Sequence, residues 1–89
     1  MPQKVNPEII KYYQARIQQL DQRIASLWNI MKLQADTHRE QLKMAMTPQY
    51  RAVLEAHYRK LESDTKTEMR RLGSIMSETK RKVESWMQR

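Results

Sequence analysis

Cysteine and phenylalanine are absent from this chain, glycine occurs once and proline three times. Without cysteine there is no disulfide and no thiolate metal site. That absence also favours a reducing compartment, because small secreted domains usually need covalent staples. So few glycines and prolines leave few breakers, and the abundance of Gln, Lys, Arg, Met, Leu and Ile points to helix throughout. No run approaches the ~18 consecutive apolar residues of a membrane span. The opening MPQKVNPEIIKYYQ lacks the apolar core and small-residue cleavage site of a signal peptide. Glu8 and an early helix start argue against a mitochondrial presequence. The expected location is intracellular, cytoplasmic or nuclear.

What is present fits a chain of long, half-buried helices. Its 89 residues are enough for one domain, spanning 1–89. Charged residues make up 30% and apolar residues 39%, too apolar and too periodic for simple disorder. The net charge is +7, with both halves positive, which favours an acidic partner: nucleic acid, anionic lipid or an acidic protein surface.

Two helix starts share one grammar. In Val5-Asn6-Pro7-Glu8, Asn6 suits the cap, Pro7 the first helical position and Glu8 the positive end of the dipole. Val5 and Ile10 stand in the staple relation. Thr47-Pro48-Gln49 repeats the pattern, and Pro48 disfavours helical geometry at Thr47. The expectation is helix 1 over about 7–45, a turn at about 46–47 and helix 2 over about 48–88. A continuous rod kinked at Pro48 is the alternative, since no glycine stands at the break to stop the first helix.

The apolar spacing supports a hairpin. Ile10, Tyr13, Ile17, Leu20, Ile24, Leu27 and Met31 form heptads, and ARIQQLD and QRIASLW are near-copies seven residues apart. Leu54, Tyr58, Leu61, Thr65, Met69, Leu72, Met76 and Val83 follow an 11-residue spacing, which drifts little around a straight helix. Folding at 46–47 sets Ile24 opposite Met69, Leu20 opposite Leu72, Ile17 opposite Met76 and Ile10 opposite Val83, and brings Trp86 to the Val5–Ile9 end. The predicted class is all-α: two long antiparallel helices in a helical hairpin or coiled coil. An antiparallel homodimer of rods would use the same pairs.

RKLES (59–63), RRLGS (70–74) and RKVES (81–85) recur at 11-residue steps in helix 2. Leu61, Leu72 and Val83 lie on the seam, so Arg59-Lys60, Arg70-Arg71 and Arg81-Lys82 point outward as a ridge with steps of roughly 16 Å. The plain interpretation is a solvated face, with Glu55, Glu62 and Glu84 pairing with neighbouring bases. The sharper one is an acidic partner along the ridge. Nucleic acid would be held there through phosphates, with steep salt dependence and little sequence preference.

LWNIMKL (27–33) breaks the one-stripe rule: Trp28 sits beside the seam, while Ile30 and Leu33 turn away. Ile75 and Trp86, 11 apart, make a second stripe on helix 2. A helix apolar on several sides calls for burial on several sides, and a lone hairpin covers little of this surface. Trp28, Ile30, Leu33, Ile75 and Trp86 are therefore the expected protein interface, completed into a bundle by a partner or a second copy. Seven methionines suit adaptable packing there.

No catalytic or cofactor signature accompanies these features. His38 and His57 flank the turn without an HxxxH or HxxE pattern, so no metal is expected; His38 falls on the heptad seam, which suits a pH-sensitive packing position, and there is no glycine-rich phosphate loop. RIQQLDQRIASLW (16–28) resembles the first helix of the helical chorismate mutases, enzymes that hold a dicarboxylate with several spaced Arg and Lys residues. Here Gln14 precedes the motif and Met31, beside Lys32, occupies the downstream Arg position, so the resemblance lacks the residues that would carry that activity. The expected function is a non-enzymatic helical interaction module, a structural or adaptor subunit. The alternative is a basic nucleic-acid-binding or nucleic-acid-associated protein acting through the ridge.

Overall fold

The computed structural model describes residues 5–88 and contains two helices, α1 over Pro7–Met44 and α2 over Pro48–Met87. They pack against each other as an antiparallel hairpin measuring 71 × 15 × 14 Å. No helix among the described residues is long and apolar enough to cross a membrane.

Both starts form as their side chains dictate. The Asn6 side-chain Oδ1 accepts from the Glu8 N–H at 2.9 Å, and the Thr47 hydroxyl accepts from the Tyr50 N–H at 3.1 Å. Each satisfies a donor that the helix leaves unpaired. The turn between them is made from extended backbone. Ala45 lies at φ −71°, ψ 118° and Thr47 at φ −126°, ψ 147°, the region into which a following proline pushes its predecessor. No described residue has positive φ. The first helix therefore ends without glycine: Ala45 turns outward, its N–H donating to the Leu42 carbonyl at 3.3 Å, and Pro48 opens the next helix. The proline signal settles the choice in favour of the hairpin over the rod.

On α1 every expected heptad position from Ile10 to Met31 is buried or half-buried. The same rhythm then runs on through Gln34, His38, Gln41 and Ala45. The seam thus changes from apolar to polar towards the turn. On α2 all eight expected positions are buried or half-buried, joined by Glu68, Ile75 and Thr79. An 11-residue pattern would place Lys80 inward after Met69, but Thr79 is buried and Lys80 exposed. The α2 seam is better described as heptads with one extra four-residue step between Thr65 and Met69, a local slip that leaves both Glu68 and Met69 half-covered.

The core is thin. Its buried apolar side chains are Leu20, Leu27, Leu54, Leu72 and Val83. Leu20, Leu27 and Leu72 form the central cluster, with Ile24, Met69, Ile75 and Met76 packed around it. Thr79 is tolerated in the seam because its hydroxyl donates to the Ile75 carbonyl at 2.7 Å, and Thr65 donates to the Leu61 carbonyl at 2.8 Å. Such bonds to the preceding turn satisfy a polar group without breaking the helix. At the open end Trp86 meets Tyr13, ring centroids 5.3 Å apart, about a turn beyond the Val5–Ile9 segment.

Candidate interaction surface

The five apolar residues singled out in the sequence do not share one face. At 3.6 residues per turn, Trp28 lies roughly 70° to one side of the α1 seam, Ile30 roughly 90° to the other, and Leu33 roughly 150° away, near the outer face. Trp28 is 58% exposed, Ile30 40% and Leu33 66%, so these three remain uncovered by the hairpin. Ile75 is instead half-buried against the central cluster, and Trp86 is half-buried at the Tyr13 end, roughly 20 Å along the axis from Trp28. The uncovered surface is carried mainly by α1. It continues around the turn, where Met44, Met46, Tyr50 and Val53 are also exposed. That second patch is missed by periodicity because it lies at the hairpin's tip, outside any stripe.

Trp28 stands between two hollows. One is lined on α1 by Met31, Lys32 and Ala35. The other crosses to α2, where Met69 and Gly73 form its floor with Ile24, and Lys66 and Arg70 stand at its edge. A third depression, lined by Ser74, Ser77, Glu78 and Arg81, faces outward on α2. The first two make one trough along the Trp28 flank of the hairpin. Gly73 keeps it open: a Cβ added there would meet nothing within 4 Å. Its backbone is ordinary helix, so glycine is required here by no dihedral angle. Gly73→Ala is expected to stabilise the hairpin by about 0.5–1 kcal/mol, the helix-propensity gain at a site that accommodates a methyl group. A rise in thermal midpoint checks this; a fall would show that the hollow is closed in solution.

The basic ridge forms along α2, and all six of its residues are exposed. Its members do not have equal freedom. Arg71 is held by Glu68 through two contacts, Nη2 to Oε1 at 2.5 Å and Nε to Oε2 at 3.0 Å. The carboxyl of Glu68 is lowered below its usual range mainly by that hydrogen bond, with weaker help from the charges of Arg71 and Arg23, and the Arg71 guanidinium is raised in turn. Arg59, Lys60, Arg70, Arg81 and Lys82 form no ion pair among the described residues. Of the acids expected to dilute the ridge, Glu62 pairs with Lys66 at 2.7 Å, which lowers its carboxyl. Glu55 and Glu84 make no such pair among the described residues. Eleven residues advance the helix by roughly 20° beyond three full turns. Arg59, Arg70 and Arg81 therefore follow the outer face, while Lys60, Arg71 and Lys82 follow the flank away from Trp28.

The two histidines gather on one tyrosine. His38 stacks on Tyr58 at 4.6 Å, and His57 meets the same ring edge-on at 5.3 Å. The Tyr58 hydroxyl donates to Gln41 Oε1 at 2.7 Å. A cavity of about 140 Å³ opens beside them, lined by Met31, Gln34, Ala35, His38, Tyr58 and Glu62. Gln34 Oε1 and His38 Nε2 are buried and meet no hydrogen-bond partner among the described residues. No cluster of three or more metal-ligating side chains occurs among the described residues. His38 occupies the seam position that the heptads give it, and continuing them past Met31 would have identified Gln34 and Gln41 as well. No protein-family model, curated protein or solved structure matches the chain.

Proposed function

We propose that the chain is a non-enzymatic helical interaction module, a structural or adaptor subunit whose uncovered apolar surface docks against protein. One observation carries this: among the described residues, ten large hydrophobic side chains are exposed and only five hydrophobic ones are buried. Scattered exposed apolar residues are ordinary. Here they flank α1 on both sides of the seam and crowd the turn, in a molecule with little core of its own.

Ile30 and Leu33 lie off the seam, so replacing both with Asp is expected to leave the helicity of the isolated hairpin unchanged. In extracts of the native source, at natural abundance, the parent chain is expected to elute well above its 10.8 kDa mass, and the double variant to elute free of that assembly. A parent chain that elutes alone, or a variant that stays assembled, overturns the proposal. The exposed ridge supports a second possibility, association with nucleic acid. In that case the large species would dissolve on nuclease treatment and survive the two Asp substitutions.

A further inference from the structure

We infer that the trough beside Trp28 receives an acidic amphipathic helix from another protein. This inference rests on the interaction-module reading and names the class of partner for one of the hairpin's two uncovered flanks.

The trough has the length, floor and edge that such a helix needs. It extends from Ala35 past Trp28 to Ile24 on α1 and from Lys66 to Gly73 on α2. On α1 that is roughly 17 Å, about three turns of helix. Its floor is apolar, formed by Ile24, Trp28, Met31, Met69 and Gly73. A helix seated there would bury its own apolar stripe against Trp28 and bring its backbone close at Gly73, the only position in the trough without a side chain. The edge is cationic: Lys32, Lys66 and Arg70 line it, with no carboxylate in its lining among the described residues. Lys66 is paired with Glu62, while Lys32 and Arg70 make no ion pair among the described residues.

That charge pattern selects the occupant. A second copy would bring the same cations against themselves, in a chain already at +7. A nucleic acid would satisfy the cations but leave most of the apolar floor without a complement, because its backbone offers phosphate rather than aliphatic surface. An amphipathic helix with leucines on one face and glutamates beside them satisfies both.

The probe is a synthetic helix of about 15 residues, the span of the trough and one further turn, with leucines at helical spacing and flanking glutamates. Its counterpart carries lysine at every glutamate. Trp86→Phe in the full chain leaves Trp28 as the one fluorescent reporter. The acidic peptide is expected to shift Trp28 emission, to bind more weakly as salt rises, and to outbind the lysine peptide. Gly73→Leu should fill the floor and weaken binding by about tenfold or more, and Lys32→Glu with Arg70→Glu should do likewise. Gly73→Ala and circular dichroism of each variant establish that the hairpin remains folded.

Equal binding of the two peptides, no binding of either, or indifference to Gly73→Leu in a folded variant overturns the inference. A parent dimer that Gly73→Leu converts to monomer by light scattering overturns it in favour of a second copy. Binding of a short single-stranded oligonucleotide that is lost with Lys32→Glu and Arg70→Glu but not with Gly73→Leu overturns it in favour of nucleic acid. If the peptide fails while the native assembly still depends on Ile30 and Leu33, the trough inference falls alone. If that assembly is also absent, both proposals fall.

Discussion

Leu72→Ala is expected to cost about 2–5 kcal/mol and to abolish cooperative unfolding of the isolated hairpin at room temperature. Leu72 is 6% exposed and stands in the central cluster with Leu20 and Leu27, surrounded by Ile24, Met69, Ile75 and Met76. Removing its side chain takes away contacts with both helices at once. Most of the resulting void would remain, because two long helices joined by a short turn cannot close locally around it. Alanine is the best helix former, so the loss would come from packing across the seam and not from helix propensity. Whole domains are stable by only about 5–15 kcal/mol, with small ones at the low end. A five-residue core has little to spare. Leu33→Ala is the control. The chemistry is the same, but Leu33 is 66% exposed, and the expected change is within about 0.5 kcal/mol. Denaturant titration followed by circular dichroism compares the two. Similar costs at both positions would mean that Leu33 is already buried in solution, and that the isolated chain is not the hairpin monomer.

The fold was legible because the strongest local signals are physical stops and starts. Asn6-Pro7 and Thr47-Pro48 specify caps whose side chains accept hydrogen bonds from the first turn of each helix, and the heptads from Ile10 to Met31 identify the covered face of α1. What escaped had weak apolar signatures. Thr79 reads as polar, yet a hydroxyl that bonds to its own helix can be buried. Gln34 and Gln41 sit on heptad positions either side of His38, but polar side chains do not draw an apolar stripe. The interface was harder still. Spacing shows that Trp28, Ile30, Leu33, Ile75 and Trp86 fall off the main seam, but it cannot show that Ile75 is half-covered by the central cluster while Leu33 is not. That distinction depends on the angle at which the second helix lies on the first. The trough is likewise a property of the pair: Trp28 and Gly73 are 45 residues apart, and neither helix alone defines a groove.

Gln34→Leu combined with His38→Leu is expected to stabilise the hairpin by about 1–3 kcal/mol, the order of the penalty for a buried polar atom without a partner. Both residues continue the α1 heptads into the region where the seam turns polar, and each leaves one buried atom unpaired among the described residues, Oε1 of Gln34 and Nε2 of His38. The adjoining cavity of about 140 Å³, bounded by Met31, Ala35 and Tyr58, gives two leucines room without overpacking. The change also has a cost. The His38 ring stacks on Tyr58 at 4.6 Å, and losing an aromatic pair costs about 0.5–1.5 kcal/mol. The bond from the Tyr58 hydroxyl to Gln41 survives, since neither partner is altered. The gain should therefore appear as a rise in thermal midpoint of several degrees, at roughly 4–8 °C per kcal/mol for a domain of this size. If the midpoint falls instead, the stacked histidine and its glutamine neighbour contribute more to stability than their unpaired atoms cost. The polar end of the seam would then be a support of the fold, and its two orphaned atoms a tolerated consequence of that support.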